Sequence, residues 1–127
     1  MTLVKQTRFL LIIFLSSLFM ASLFYGGGNY IITDTTSYSF TTNFLSDLGR
    51  LSSHSGNSNI ISFIYFFLGM SALGFGAYHF IFLCANYFEP QFPRIYIIAK
   101  LLALFGIICT IGVIVTPADV KSLYLLH

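Results

Sequence analysis

Apolar residues fill three long blocks of the chain, Phe9–Tyr25, Ile60–Phe88 and Ile95–Val115, and polar residues are gathered between the first two. No Asp, Glu, Lys or Arg occurs from Ile60 to Phe88. At about 1.5 Å per residue, a helix of that length exceeds a hydrocarbon core of about 30 Å, tilt included. The pattern predicts an all-α fold, a polytopic transmembrane helical bundle forming a single domain over 1–127. Its spanning helices are expected at 9–25, 60–88 and 95–115. An outer loop over 26–59 carries a short interfacial helix, and a fourth helix starts over 117–127. Lys5 and Arg8 ahead of the first block would also suit a signal peptide. The block is longer than a usual signal core, however, and small residues are sparse until Gly26 and Gly28, so a retained helix is expected.

Small residues mark where these helices should meet. Ser17 and Ala21 form a small-xxx-small pair on the first helix. Gly69, Ala72 and Gly76 share one face of the second, and His79 continues it. A histidine there is expected to hydrogen-bond a Ser, a Thr or a backbone carbonyl of a neighbouring helix; the sharper alternative is a proton relay or a ligand site. Ala99, Ala103, Gly106 and Thr110 make a seam on the third helix, expected to pack against the small face of the second. A second copy of this chain, or further C-terminal helices, would pack on these same two faces. Cys84 and Cys109 read as small packing residues.

Between Gly26 and Asn59, GGGN breaks the first helix. YIITDTTSY, residues 30–38, reads as extended or irregular. Phe40, Phe44, Leu48 and Leu51 then recur at helical spacing with polar residues between them, which predicts a short interfacial helix ending near Gly49. Asn57–Asn59 supplies a cap for the second helix. At the far end, Pro90 and Pro93 stop that helix and force an antiparallel hairpin, and Lys100 can snorkel toward headgroups. Thr116, Pro117 and Asp119 read as N-cap, first helical residue and capping acid of the fourth helix. The apolar residues after Asp119 stop at His127, which is read as a partial chain lacking most of that helix.

Composition narrows the class. The chain is 57% hydrophobic and 8% charged, against about 25% charged in soluble domains. A net charge of +2 is too small for a nucleic-acid partner, so membrane lipid is the expected surrounding. Trp is absent, while 15 Phe and 8 Tyr supply bulk and interface anchors. Lys5, Arg8, Arg94 and Lys100 fall on one side of a three-helix layout, Arg50 and Lys121 on the other. That imbalance places the amino terminus in the cytoplasm.

This topology brings Asp47, Arg50 and His54 of the loop to the same surface as Asp119 and His127 of the tail. Catalytic candidates are Ser46 as nucleophile with Asp47, Asp119 and His127 for acid-base work. Metal candidates are His54, Asp119 and His127. Each has a plainer role: Asp47 paired with Arg50, Asp119 as a cap, His54 solvated in a Ser-rich loop. No cofactor is expected.

SDLGR at Ser46–Arg50 and TPAD at Thr116–Asp119, with His127 eight residues beyond the Asp, resemble a family of bacterial integral membrane proteins of unknown function. Members have about six helices, a Ser-Asp/Glu-Leu motif after the first, and a Pro-x-Asp motif after the third with a His opening the fourth. Ser46, Asp47 and Leu48 match the first motif; Pro117, Asp119 and His127 match the second. The resemblance implies that this chain is the N-terminal half of such a protein, in the bacterial inner membrane. A more distant likeness is to the superfamily of membrane hydrolases that includes alkaline ceramidases, whose sites hold a zinc on three His with a Ser and an Asp nearby. This chain has no HxxxH pair. The leading expectation is a non-enzymatic multi-pass membrane protein. The alternative is a membrane-embedded hydrolase acting on lipid at the outer interface through the Asp/His/Ser cluster, and a small transporter component using His79 comes third.

Overall fold

A computed structural model describes residues 2–88, 91–117, 119 and 120. Its described residues form three α-helices, α1 (Leu3–Leu23), α2 (Ile60–Phe88) and α3 (Pro93–Val115), and one 3-10 turn, Leu45–Gly49. There is no named strand among them, only an isolated bridge between Ser52 and Ser58. All three helices are long and apolar enough to cross a membrane.

α2 has the expected bounds, while α1 and α3 start earlier than their apolar blocks suggest. α1 begins at Leu3 because Lys5, Gln6 and Arg8 are good helix formers with no breaker among them. α3 begins at Pro93, where the missing N–H of proline costs nothing.

α2 is the central rod. The Cβ position of Gly69 lies 3.2 Å from Ser17 Cβ and 3.3 Å from the Phe14 carbonyl oxygen, and that of Gly76 lies 3.4 Å from Leu10 Cβ. As α2 advances α1 retreats, so the two are antiparallel. The Gly69/Ala72/Gly76 face is thus filled by α1 of the same chain, with Ser17 and Ala21 buried in the contact. α3 meets a different face of α2. A Cβ on Gly74 would lie 3.3 Å from Thr110 Cγ2, and Lys100 Nζ lies 4.7 Å from the Phe82 ring centroid, again antiparallel. The expected pairing of the α3 seam with the Gly69 face is therefore corrected. Gly74 is the small residue that Thr110 needs, and the Gly69 face is already occupied. Along the seam Ala103 is buried, while a Cβ on Gly106 would meet nothing within 4 Å.

Outward faces of the spans are mostly apolar. Phe9, Ile12, Leu15, Phe19 and Leu23 of α1 are exposed, as are Leu101, Leu102, Phe105 and Ile108 of α3. In water such continuous surface would drive association; in lipid it is the proper coat. Cys84 and Cys109 are exposed on this coat rather than packed inside it. His79 also departs from expectation. Its Nδ1 is buried with no hydrogen-bond partner.

The enclosed hydrophobic core lies at the loop end. Ala21, Tyr25, Leu48 and Phe66 form it, with Leu18, Tyr38, Tyr65 and Met70 against them. Leu48 therefore points into the bundle. The interfacial helix expected over Phe40–Leu51 is shortened to the 3-10 turn, because Phe44 stays extended at φ −80°, ψ 150°. The Asp47 carboxylate takes the Phe44 N–H at 2.9 Å and starts the turn there.

Candidate functional site: a polar cap on the loop end

Residues 26–59 fold back on the ends of α1 and α2. The organiser is Asn59, fully buried just ahead of α2. Its backbone carbonyl accepts the Phe63 N–H at 2.9 Å and so opens the helix. Its side chain is turned away from the helix into the loop. Oδ1 accepts the Gly26 N–H at 3.0 Å, and Nδ2 donates to the Arg50 carbonyl at 2.9 Å and more weakly to those of Asp47 and Leu48 at 3.4 Å. One amide thus ties the exit of α1, the 3-10 turn and the entry of α2. Ser62, one turn on, donates to the Leu48 carbonyl at 3.2 Å.

Two consecutive glycines let the chain leave α1 tightly. Gly27 and Gly28 have φ of +96° and +77°, a region L side chains avoid. Gly28 donates its N–H to the Thr35 carbonyl at 2.8 Å, closing a small hairpin, and its carbonyl accepts from Asn43 Nδ2 at 2.8 Å. The Asn29 carboxamide oxygen takes the N–H groups of Ile31 and Ile32 at 2.9 and 2.7 Å, fixing the hairpin tip.

Asp47 is the buried acid of the cap. Oδ2 accepts from Phe44 N and from Asn43 Nδ2 at 3.2 Å, and Oδ1 lies 3.0 Å from His54 Nε2. His54 is thus held in the cap and not solvated. Arg50 is not the partner of Asp47; its Nε donates to the Ser52 carbonyl at 3.1 Å. Ser46 makes no hydrogen bond to a histidine among the described residues.

Asp119 closes the tail onto this loop. Its Oδ1 accepts the Leu51 N–H at 3.0 Å and its Oδ2 the Ser52 N–H at 2.8 Å. The tail does meet the loop as the topology requires, but the carboxylate serves the loop backbone rather than the next helix. Thr116 Oγ1 likewise points back, donating to the Gly112 carbonyl at 2.8 Å. His127 and the rest of the expected fourth helix beyond Val120 lie outside the described residues. No group of three His, Cys, Asp or Glu side chains is gathered among the described residues.

Tyr25 sits under the cap, buried, its hydroxyl without a hydrogen bond. The His54 backbone N–H favours the phenolate without making a hydrogen bond to the hydroxyl. Burial raises the Tyr25 pKa from its ordinary 10.0, helped by the Asp47 charge and opposed by the His54 N–H and Arg50. Tyr38, edge-on to Tyr25 at 5.5 Å, is raised by burial and then by Asp47. The folded state therefore holds the phenol protons more tightly than the unfolded chain. That contribution is whole below pH about 10 and is lost as pH rises through the raised values. Thermal melts in detergent are expected to fall above pH about 10, less steeply in Tyr25→Phe. At neutral pH that variant is expected to melt at or above the wild-type temperature, since the buried hydroxyl it removes has no hydrogen bond to lose.

The candidate list above contains Asp47, His54 and Asp119 but omits Asn59, Asn43 and Tyr25. Asn59 reads locally as a helix cap, and only the fold reveals that its side chain faces the loop. A run of Asn residues in an otherwise apolar chain is the signal that points to such a knot. Comparison with protein-family models, curated proteins and solved structures finds no match to this chain.

Proposed function

We propose that this chain is a multi-pass integral membrane protein whose loop end is a structural cap and not a catalytic centre. The observation that carries this reading is the occupation of both carboxylates. Both oxygens of Asp47 and both oxygens of Asp119 are taken by hydrogen bonds within the cap. A group so engaged is positioned to hold backbone, and freeing it for chemistry would cost about 1–3 kcal/mol. The resemblance to six-helix bacterial membrane proteins gains a physical meaning here. The Asp of the Pro-x-Asp motif clamps the Leu51 and Ser52 N–H groups, three and four residues past the Ser-Asp-Leu motif, so the two motifs work as one lock between loop and tail. The balance of basic residues supports an amino terminus in the cytoplasm, and the resemblance implies a bacterial inner membrane.

Asp119→Asn tests this reading. It keeps the shape but turns one acceptor into a donor facing a backbone N–H, and is expected to lower stability by about 1–3 kcal/mol in detergent melts. Stoichiometric zinc in the purified protein would contradict the reading, as would lipid hydrolysis abolished by Asp119→Asn or His54→Gln without loss of stability. The second reading, a lipid hydrolase, is favoured by one contact, the Asp47–His54 pair at 3.0 Å, which has the form of an oriented acid-base dyad. It lacks a serine hydroxyl on the histidine among the described residues.

A further inference from the structure

The cap carries an apolar edge that the knot of hydrogen bonds leaves uncovered. Phe40, Phe44 and Leu45 are 74, 67 and 45% exposed, on a segment that bears no charged side chain from Thr35 to Ser46. An aromatic ladder fixes the height of this edge. Tyr25 follows the end of α1 directly and is buried; Tyr38 stands edge-on to it at 5.5 Å; Phe40 stands edge-on to Tyr38 at 5.0 Å. The ladder runs from the core outward, starting at the level where α1 ends. Tyr38 Oη donates to the Phe44 carbonyl at 3.2 Å, which keeps Phe44 beside it. The lipid-facing coat of α1 ends at the same level in Leu23 and Phe24, both exposed, with Phe24 stacked on Tyr65 at 5.7 Å. The edge thus belongs to the same end of the bundle at which the apolar coat of α1 ends.

The backbone of this segment is also prepared for a place short of water. Thr42 and Asn43 donate their N–H groups to the Ser39 carbonyl, and Ser39 N–H is taken by Asn43 Oδ1 at 3.1 Å. A turn with these three N–H groups bonded enters the headgroup boundary at lower cost than an open loop would.

We infer that Phe40, Phe44 and Leu45 are seated in the interfacial region of the bilayer, so that the cap is anchored to lipid as well as to the helices. The occupant of this surface is lipid of the protein's own membrane. A second protein is disfavoured by the uncharged rim and by the place of the edge at the end of the lipid-facing coat of α1. This differs from an amphipathic helix lying apolar face down, because Leu48 is turned into the core and the aromatic turn takes its place. The inference rests on the membrane reading above.

The chain has no Trp, so one introduced residue reports alone. Phe40→Trp and Phe44→Trp each exchange one exposed aromatic for another and leave the knot intact. Phe19→Trp, on the exposed side of α1, reports the membrane reading itself. In proteoliposomes, both loop reporters are expected to emit at blue-shifted wavelength and to lose at least half their emission to lipids brominated near the headgroup end of the acyl chain. Aqueous iodide should then quench them weakly. If Phe19→Trp is quenched by brominated lipid while the loop reporters answer only to iodide, the anchor is overturned and the membrane reading stands. Loop reporters shielded from both quenchers would mean that protein covers the edge, which also overturns it. If none of the three responds to brominated lipid, the membrane reading falls with it.

Discussion

Asn59→Ala is expected to destabilise the protein by about 3–5 kcal/mol, the largest effect of any single side-chain truncation at the loop end. The reason lies in what the carboxamide leaves behind. The Gly26 N–H and the Arg50 carbonyl, both partly buried, lose their partners, and each unsatisfied group costs about 1–3 kcal/mol. The Leu48 carbonyl is spared, because Ser62 still donates to it, and the Asp47 carbonyl keeps the Arg50 N–H. A small void adds to the loss. Chemical denaturation in mixed micelles measures it. Asn59→Asp, which keeps the acceptor for Gly26 and loses the donor for Arg50, should not rescue stability, since it places a new charge where nothing compensates it. A melting curve for Asn59→Ala superimposable on that of the wild type would show that the side chain does not tie the three segments.

Gly28→Ala is the second large effect. A Cβ there would lie 2.5 Å from the Ser55 backbone nitrogen and 2.8 Å from the His54 carbonyl carbon. Both obstacles are backbone, so a rotamer change cannot relieve them. The left-handed conformation adds about 1 kcal/mol for any L side chain, and the overlap adds about 1–3 kcal/mol more. The hairpin closed by the Gly28–Thr35 bond is expected to open. Because Ser55 and His54 are the neighbours displaced, the contact of His54 with Asp47 should loosen too. Limited proteolysis reads this directly, with new cleavage expected between Gly28 and Ser55 in the variant and none in the wild type under the same conditions.

The helices were legible because lipid imposes a one-dimensional rule. An apolar run long enough to cross must be helical, since no other open backbone satisfies its own hydrogen bonds there. Ser17 and Ala21 were also readable, as small residues at a four-residue interval have few uses other than close packing. What was not legible is which face meets which. Gly69 and Gly74 are both small, and their spacing does not say that one takes Ser17 and the other Thr110. The cap was harder still. Asp119 fits a capping box perfectly well by sequence, and Asp47 fits a pair with Arg50. Both are displaced by backbone N–H groups and a histidine that only the folded loop brings near. The placement of Asp47, His54 and Asp119 at one end was foreseeable from topology, while their roles depended on where Asn59 points.

The central claim is that residues 26–59 form a folded cap locked by Asn59 and Asp119. Amide hydrogen exchange in proteoliposomes tests it most directly. The account predicts slow exchange at Gly26, Gly28, Leu51, Ser52 and Asn59, whose N–H groups are bonded. It further predicts that Asp119→Asn speeds Leu51 and Ser52 by about tenfold or more while Gly26 stays slow, tenfold corresponding to about 1.4 kcal/mol. Exchange of all five amides at the rate of an unstructured peptide in the wild-type protein would contradict the account.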